Sequence, residues 1–265
     1  MANIFDIAKK ANVSVVTVSR LLNNPEIVSS KTAAKIYRVM DELKYQPSQI
    51  ARSMVSKRTN TIGVIMPDIK NTLFNNWFRV IEDYATSLSY NLVLCNTDED
   101  AVKELNYIRL LQSQRVDGII IAPGSRESVA YLMKSNMRFI LFDRLYDSRR
   151  NNYVTTDHYQ GAFDAAEYLA KLGHTKIAVL RGGGTLYPDT ERYSGFEDAM
   201  LKNKLKIYPE FVLNCEFNEE VACRRISELF SQQNKPTAVF SFNSLMTTGV
   251  IKAFQKMNIS IPENI

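Results

Sequence analysis

Residues 13–24, Val-Ser-Val-Val-Thr-Val-Ser-Arg-Leu-Leu-Asn-Asn, carry the side chains best suited to reading another molecule. At roughly 100° per residue, Val18, Leu21 and Leu22 fall beside Ser14. Val16, Ser19 and Arg20 fall opposite, with Val15 at the edge. One face is therefore apolar, as a packed helix needs. The other presents an arginine, a hydroxyl and two valines. In a DNA major groove an arginine pairs with guanine O6 and N7, and a valine methyl touches the thymine methyl. A plain helical bundle would leave solvent-facing Val15 and Val16 beside Arg20 unexplained.

That helix needs neighbours to hold it. Asn3 can cap a first helix in which Ile4, Ile7, Ala8 and Ala11 recur at helical spacing. Asn12 sits at the turn, where asparagine tolerates the left-handed conformation. Ser14 is placed to cap the second helix. A third helix is expected from about Ser30 to Leu43, with Ala33, Ile36, Tyr37, Met40 and Leu43 as its buried stripe. Three small helices presenting the second one outward make a helix-turn-helix headpiece over residues 1–46.

The charge distribution agrees with a headpiece that meets phosphate. Residues 1–60 hold ten Lys or Arg against four Asp or Glu, and the remaining residues hold 23 against 24. The positive excess is thus confined to one end, the footprint of a nucleic-acid module on a neutral body. The three cysteines, Cys95, Cys215 and Cys223, have no metal-ligand spacing and read as reduced thiols, with Cys95 in the core. There is no signal-peptide pattern and no apolar run of about 18 residues, so a cytoplasmic protein with no membrane partner is expected.

Residues 47–60 read as a hinge segment. Pro47 stops the third helix and can begin another. Residues 48–55 suffice for two helical turns, marginal in water but able to fold on DNA. Two readings of Met54 stay open on the residues alone: a wedge between base pairs in the minor groove, or a linker side chain tucked against the body.

From Thr61 onward strand and helix patterns alternate. Strands are expected at 62–66, 92–96, 118–122, 139–142, 153–156, 177–180, 211–214 and 238–242, with helices between most of them. Several strands are continuous apolar runs, as parallel strands buried on both faces should be. This is a doubly wound α/β body, expected in two lobes over residues 61–265. Polar residues follow the strand ends: Asp68, then Asp143-Arg144, Asp157, and Asn243-Ser244. Converging on a cleft, they suit a hydroxylated small molecule, with Phe74 against a sugar ring. For any one such Asp, helix capping competes equally with ligand contact.

With these residues in view, the chain resembles the lactose repressor/galactose repressor family of bacterial transcription regulators. The resemblance rests on Asp6-Ile-Ala-Lys-Lys-Ala-Asn-Val-Ser-Val-Val-Thr-Val-Ser-Arg-Leu-Leu-Asn, Tyr45-Gln-Pro and Ala51-Arg-Ser-Met. In the body it rests on Ile62-Gly-Val-Ile-Met-Pro-Asp-Ile, Arg115-Val-Asp-Gly-Ile-Ile-Ile-Ala-Pro, Leu172-Gly-His-Thr-Lys-Ile-Ala and Ile261-Pro-Glu-Asn-Ile. It implies a homodimer on a near-palindromic double-stranded operator, and a body like a two-lobed periplasmic sugar-binding protein. It implies base reading by Val15, Val16 and Arg20, phosphate contact by Thr17, Ser19 and Asn23, and a minor-groove wedge at Met54. The effector cleft maps to Asp68, Asn71, Phe74, Asp143, Arg144, Asp157, Arg192 and Asn243. The effector it implies is a sugar or sugar phosphate, and the regulator a repressor of carbohydrate-utilisation genes.

The sequence departs from the family at Asn12, usually glycine, at Met54, usually leucine, and at Ser244, usually aspartate. It also ends at Ile265, where the family continues, so a C-terminally truncated chain with an incomplete second lobe is expected. The main alternatives within the family are an activator and a regulator answering to a phosphorylated carrier protein. A sugar-binding protein without a DNA role is the distant one. An enzyme is not expected. Gly182-Gly-Gly-Thr lacks the Gly-Lys-Ser/Thr ending of a phosphate loop, and His158 and His174 lie in no nucleophile motif. No catalytic residue, metal or cofactor is anticipated.

Overall fold

The computed structural model describes residues 2–45, 58–146 and 152–265. Met54 and the proposed two-turn hinge helix lie outside the described residues.

The headpiece is built of α1 (Ile4–Lys10), α2 (Val15–Asn23), a short 3-10 turn (Pro25–Ile27) and α3 (Ser30–Glu42). Each start is set by a local polar residue. Asn3 accepts from the Phe5 and Asp6 amides while Asp6 accepts from the Asn3 amide, a reciprocal capping box. Ser14 Oγ accepts from the Thr17 amide at 3.1 Å, and Ser29 caps α3 in the same way. Between α1 and α2, Asn12 adopts φ 49°, the left-handed conformation expected of it. Ile7, Ala11, Val18, Leu21 and Ile36 are buried and form one core. Tyr37 is not part of that stripe. It is 46% exposed, and Val39 is buried in its stead, because the inner face of α3 runs along 36, 39 and 40.

The body has two lobes. The first holds a five-stranded parallel sheet in the order β2-β1-β3-β4-β5. Its strands are β1 (Thr61–Met66), β2 (Asn91–Asn96), β3 (Gly118–Ile121), β4 (Phe139–Phe142) and β5 (Tyr153–Val154). Helices α4 (Thr72–Ser87), α5 (Ala101–Ser113) and α6 (Arg126–Lys134) connect them. Side chains alternate along β1, so Ile62, Val64 and Met66 meet Phe74, Trp77 and Ile81 of α4, while Ile65 joins Ile108 and Leu111 of α5 on the other face. Gly63 leaves room for α5 here: a Cβ would lie 2.4 Å from Leu111 Cδ1, so that side chain would have to shift.

The second lobe carries a parallel three-stranded sheet in the order β7-β6-β8 among the described residues. Here β6 is Ile177–Arg181, β7 Val212–Asn214 and β8 Ala238–Ser241. Around it lie α7 (His158–Lys171), α8 (Tyr187–Lys202), α9 (Glu219–Phe230) and α10 (Ser244–Lys256). Phe196, Phe211, Phe254 and Met246 fill its core together with β6. Helix α4 starts at Thr72 because Asn71 caps it there, its side chain accepting from the Leu73 amide. All three cysteines are free, and burial pushes the Cys215 thiol up to about 11. Among the described residues no helix is long and apolar enough to cross a membrane.

The chain enters the first lobe through a single carboxylate. Asp117, one residue before β3, accepts from the Thr59 amide at 2.8 Å, the Thr59 hydroxyl at 3.1 Å and the Asn60 amide at 3.1 Å. This gives the Arg115-Val-Asp-Gly run a physical role: it ties the end of the hinge segment to the sheet.

Candidate functional site

Two surfaces bring the predicted residues together. The first is the outer face of α2. Val16 is 58% exposed and Arg20 is exposed beside it, so an arginine fork and an apolar methyl pair project from one helix face. Val15 corrects the expectation of full exposure: it is half-buried and packs on the headpiece core, so only one valine faces outward. The Thr17 hydroxyl lies 2.8 Å from that of Ser14 at the start of the helix. Ser19 is half-buried, and Asn23 is the last residue of α2.

The second surface is a cleft of about 770 Å³ between the lobes. Parallel sheets present their strand C-termini and the loops after them on one side, where ligands bind. Both sheets aim that side at the cleft. Asp68 follows β1, Glu99 follows β2, Gly124 follows β3 and Asp143-Arg144 follow β4. From the second lobe come Gly182 after β6, Glu216 and Phe217 after β7, Phe242 and Asn243 after β8, and Arg192 from α8.

Of the eight residues assigned to the cleft from sequence, seven line it: Asp68, Asn71, Phe74, Asp143, Arg144, Arg192 and Asn243. Asp157 does not. It is exposed and caps α7, accepting from the Gln160 amide at 2.9 Å, so for this residue the capping alternative holds. Asn71 and Asn243 line the cleft and also cap helices, α4 and α10 respectively. Phe74 is 4% exposed and stacks edge-on against Trp77. It serves as a wall more than as an open platform.

The two arginines differ in electrostatic state. Arg144 is 6% exposed and gives both terminal nitrogens to Glu99, at 2.7 Å each. Burial disfavours its charge, but the Glu99 hydrogen bonds and charge outweigh that and hold it above the ordinary arginine value. Arg192 has no such carboxylate. It donates to the Phe242 carbonyl at 2.5 Å and to His158 Nδ1 at 3.2 Å, and burial pushes it below the ordinary arginine value while Asp143 and Asp189 oppose the shift.

Three residues that sequence reasoning passed over matter here. Glu99 neutralises Arg144. Phe217 offers a half-buried ring that packs over Gly182, where a Cβ would stand 2.2 Å from it. His158 joins Asp143 to Arg192. For Glu99 a signal existed, a carboxylate just past a strand end. For Phe217 and His158 none did. Asp189, fully buried, accepts from the Gly182 amide at 2.7 Å and from Arg181, and so fixes the glycine loop. Among the described residues no group of three or more His, Cys, Asp or Glu could hold a metal.

Comparison with known proteins places both surfaces in context. Residues 3–48 match the family described as bacterial regulatory proteins, lacI family, and residues 62–261 match a periplasmic binding protein domain. The HTH-type transcriptional regulator DegA of Bacillus subtilis (strain 168) is 33% identical over 267 residues, 99% of this chain and 79% of that protein. The HTH-type transcriptional repressor PurR of Aliivibrio fischeri (strain ATCC 700601 / ES114) is 33% identical over 270 residues, 100% of this chain and 80% of that protein. The crystal structure of the lac repressor dimer bound to operator and the anti-inducer ONPF shares the fold, with a TM-score of 0.87. It is 24% identical and aligns with 100% of this chain and 80% of its own.

Proposed function

Since the chain belongs to the lacI family of bacterial regulatory proteins and is a DNA-binding transcription regulator, we propose that it is a repressor whose operator affinity is set by a neutral, polyhydroxylated small molecule in the interlobe cleft. The charge of the cleft lining carries this reading. Four carboxylates, Asp68, Glu99, Asp143 and Glu216, face two guanidiniums, of which Arg144 is already paired. A phosphorylated sugar would meet net negative charge in a partly desolvated site, whereas sugar hydroxyls find acceptors and donors from both lobes. This balance of charge supports the sugar over the sugar phosphate.

The mechanism is a linkage. An effector that binds one lobe arrangement better than the other shifts the headpieces' ability to sit on DNA, by no more than that difference in affinity. Val16 and Arg20 read bases, Val15 packs the reading helix at the groove edge, and Thr17, Ser19 and Asn23 meet phosphates. Met54 is the minor-groove wedge. A homodimer is supported by the outer face of α4 and its C-cap, where Val80, Tyr84 and Leu88 form an exposed apolar stripe at helical spacing. The lac repressor named above is a dimer, which supports the same assembly here. Sedimentation should give a dimer for the natural chain and a monomer for Tyr84→Glu. A dimer unaffected by that change would place the interface elsewhere.

Trp77 is the chain's single tryptophan and packs edge-on between Phe74, at 5.5 Å, and Phe142, at 4.6 Å. Its fluorescence therefore reports on the cleft wall. We expect a response to one or more of D-ribose, D-glucose and D-galactose and none to glucose 6-phosphate. A response to the phosphate alone would overturn the neutral-ligand assignment. Silence across a broad library of neutral sugars would remove the cleft assignment itself.

A further inference from the structure

Resting on the cleft as the effector site, we propose that His158 is a positioning residue that joins the cleft groups of the two lobes into one hydrogen-bonded unit. His158 opens α7, just after the chain crosses from the first lobe, and is 5% exposed. It does not line the cleft. Its Nδ1 lies 3.2 Å from an Arg192 terminal nitrogen, and its Nε2 lies 3.3 Å from Asp143 Oδ1. Asp143 belongs to the first lobe and Arg192 to the second, and Arg192 continues the chain of contacts to the Phe242 carbonyl.

The chemistry of the partners fixes the tautomer. A guanidinium nitrogen only donates, so Nδ1 must accept and carry no proton. With Nδ1 accepting, we assign the ring's single proton to Nε2, which lies 3.3 Å from the Asp143 carboxylate, a group that only accepts. The Thr155 hydroxyl donates to the Asp143 carbonyl at 2.9 Å and also stands 3.5 Å from Nε2. Tyr187 closes the remaining side, its ring edge-on at a centroid distance of 6.0 Å. A proton on Nδ1 would set donor against donor and release Arg192. A leucine of similar volume would leave both Asp143 and Arg192 short of a partner. A glutamine can accept at one end and donate at the other, as the neutral imidazole does.

The chain has two histidines, so a histidine side-chain nitrogen spectrum holds two ring systems and His158→Gln assigns them. In the ligand-free wild-type chain we expect His158 as the neutral Nε2–H tautomer, with its Nδ1 signal displaced by Arg192→Met while His174 stays put. The Nδ1–H tautomer, a charged ring, or indifference to Arg192→Met would each overturn the proposal. This arm needs no sugar, so it stands or falls apart from the effector reading. The second arm titrates D-ribose, D-glucose and D-galactose against Trp77 fluorescence. For a responding sugar, His158→Leu should weaken binding by about 10-fold or more, the scale of one hydrogen bond to a charged group, and His158→Gln should restore most of it. Equal binding by wild type and His158→Leu would also overturn it. If none of the three responds, the tautomer spectrum alone decides what His158 does.

Discussion

The reading helix and the cleft solve opposite problems. Helix α2 keeps its functional groups out of the fold: Arg20 and Val16 project outward while Val18 and Leu21 do the packing. The cleft does the reverse. Asn71 and Asn243 cap helices, Arg144 is bound to Glu99, and Arg192 is bound to a carbonyl and a histidine. A surface that meets a large polyanion can leave its donors in water until contact, because phosphate attraction is long-ranged and needs no prior burial. A cleft that discriminates small molecules has to hold its polar groups in place first, since a buried donor without a partner is itself destabilising. One consequence is that substitutions in the headpiece act on affinity directly, while substitutions in the cleft act through neighbours.

The largest expected effect separates the two regions outright. Leu21→Ala removes a fully packed side chain from a core of fewer than fifty residues. A loss of about 2–5 kcal/mol should unfold a module that small. Operator binding should vanish while the Trp77 response to a sugar persists, and loss of both would mean that the regions are not independent. Next comes Arg20→Ala, expected to weaken operator binding by about 1–3 kcal/mol and to relax one base preference. The comparison breaks if random DNA loses as much, because then Arg20 meets only phosphate. In the hinge, Met54→Ala should reduce the operator bend read by fluorescence transfer between end labels, and an unchanged bend rules out the wedge.

Glu99→Gln tests the cleft through its wiring. It leaves Arg144 buried with no carboxylate partner, and so adds positive charge to the lining. Glucose 6-phosphate, silent on the natural chain, should then alter Trp77 fluorescence. Continued silence with neutral sugars still bound would show that shape, not charge, excludes the phosphate. The smallest effect is expected for Ser14→Ala, about 1 kcal/mol from loss of a helix cap. It should appear as a lowered headpiece unfolding midpoint with unchanged base preference.

How much of this was written in the chain depends on how local each feature is. Capping by Asn3 and Ser14, the left-handed turn at Asn12 and the buried pair Val18 and Leu21 all follow from residues within one or two turns, and all are present. The alternation of strands and helices was legible for the same reason, and with it the fact that Asp68 and Asp143 follow strand ends. Misreadings arose at the margins of faces. Tyr37 and Val15 sit where a helical wheel cannot say which neighbour will cover them, and the third dimension exposed the first and half-buried the second.

The sequence by itself determined which segments become helices and strands, and which residues lead the loops beyond them, since capping, periodicity and apolar runs act over a few residues. Tertiary structure alone decided the partners. Asp157 and Asp143 look alike in sequence, each a carboxylate near a strand end, yet one caps a helix in solvent and the other is buried against His158. Glu99 meets Arg144 across 45 residues, and Arg192 meets Phe242 across 50. Such pairs form only when each lobe's sheet brings its own strand ends and helices together, and no local pattern encodes that distance.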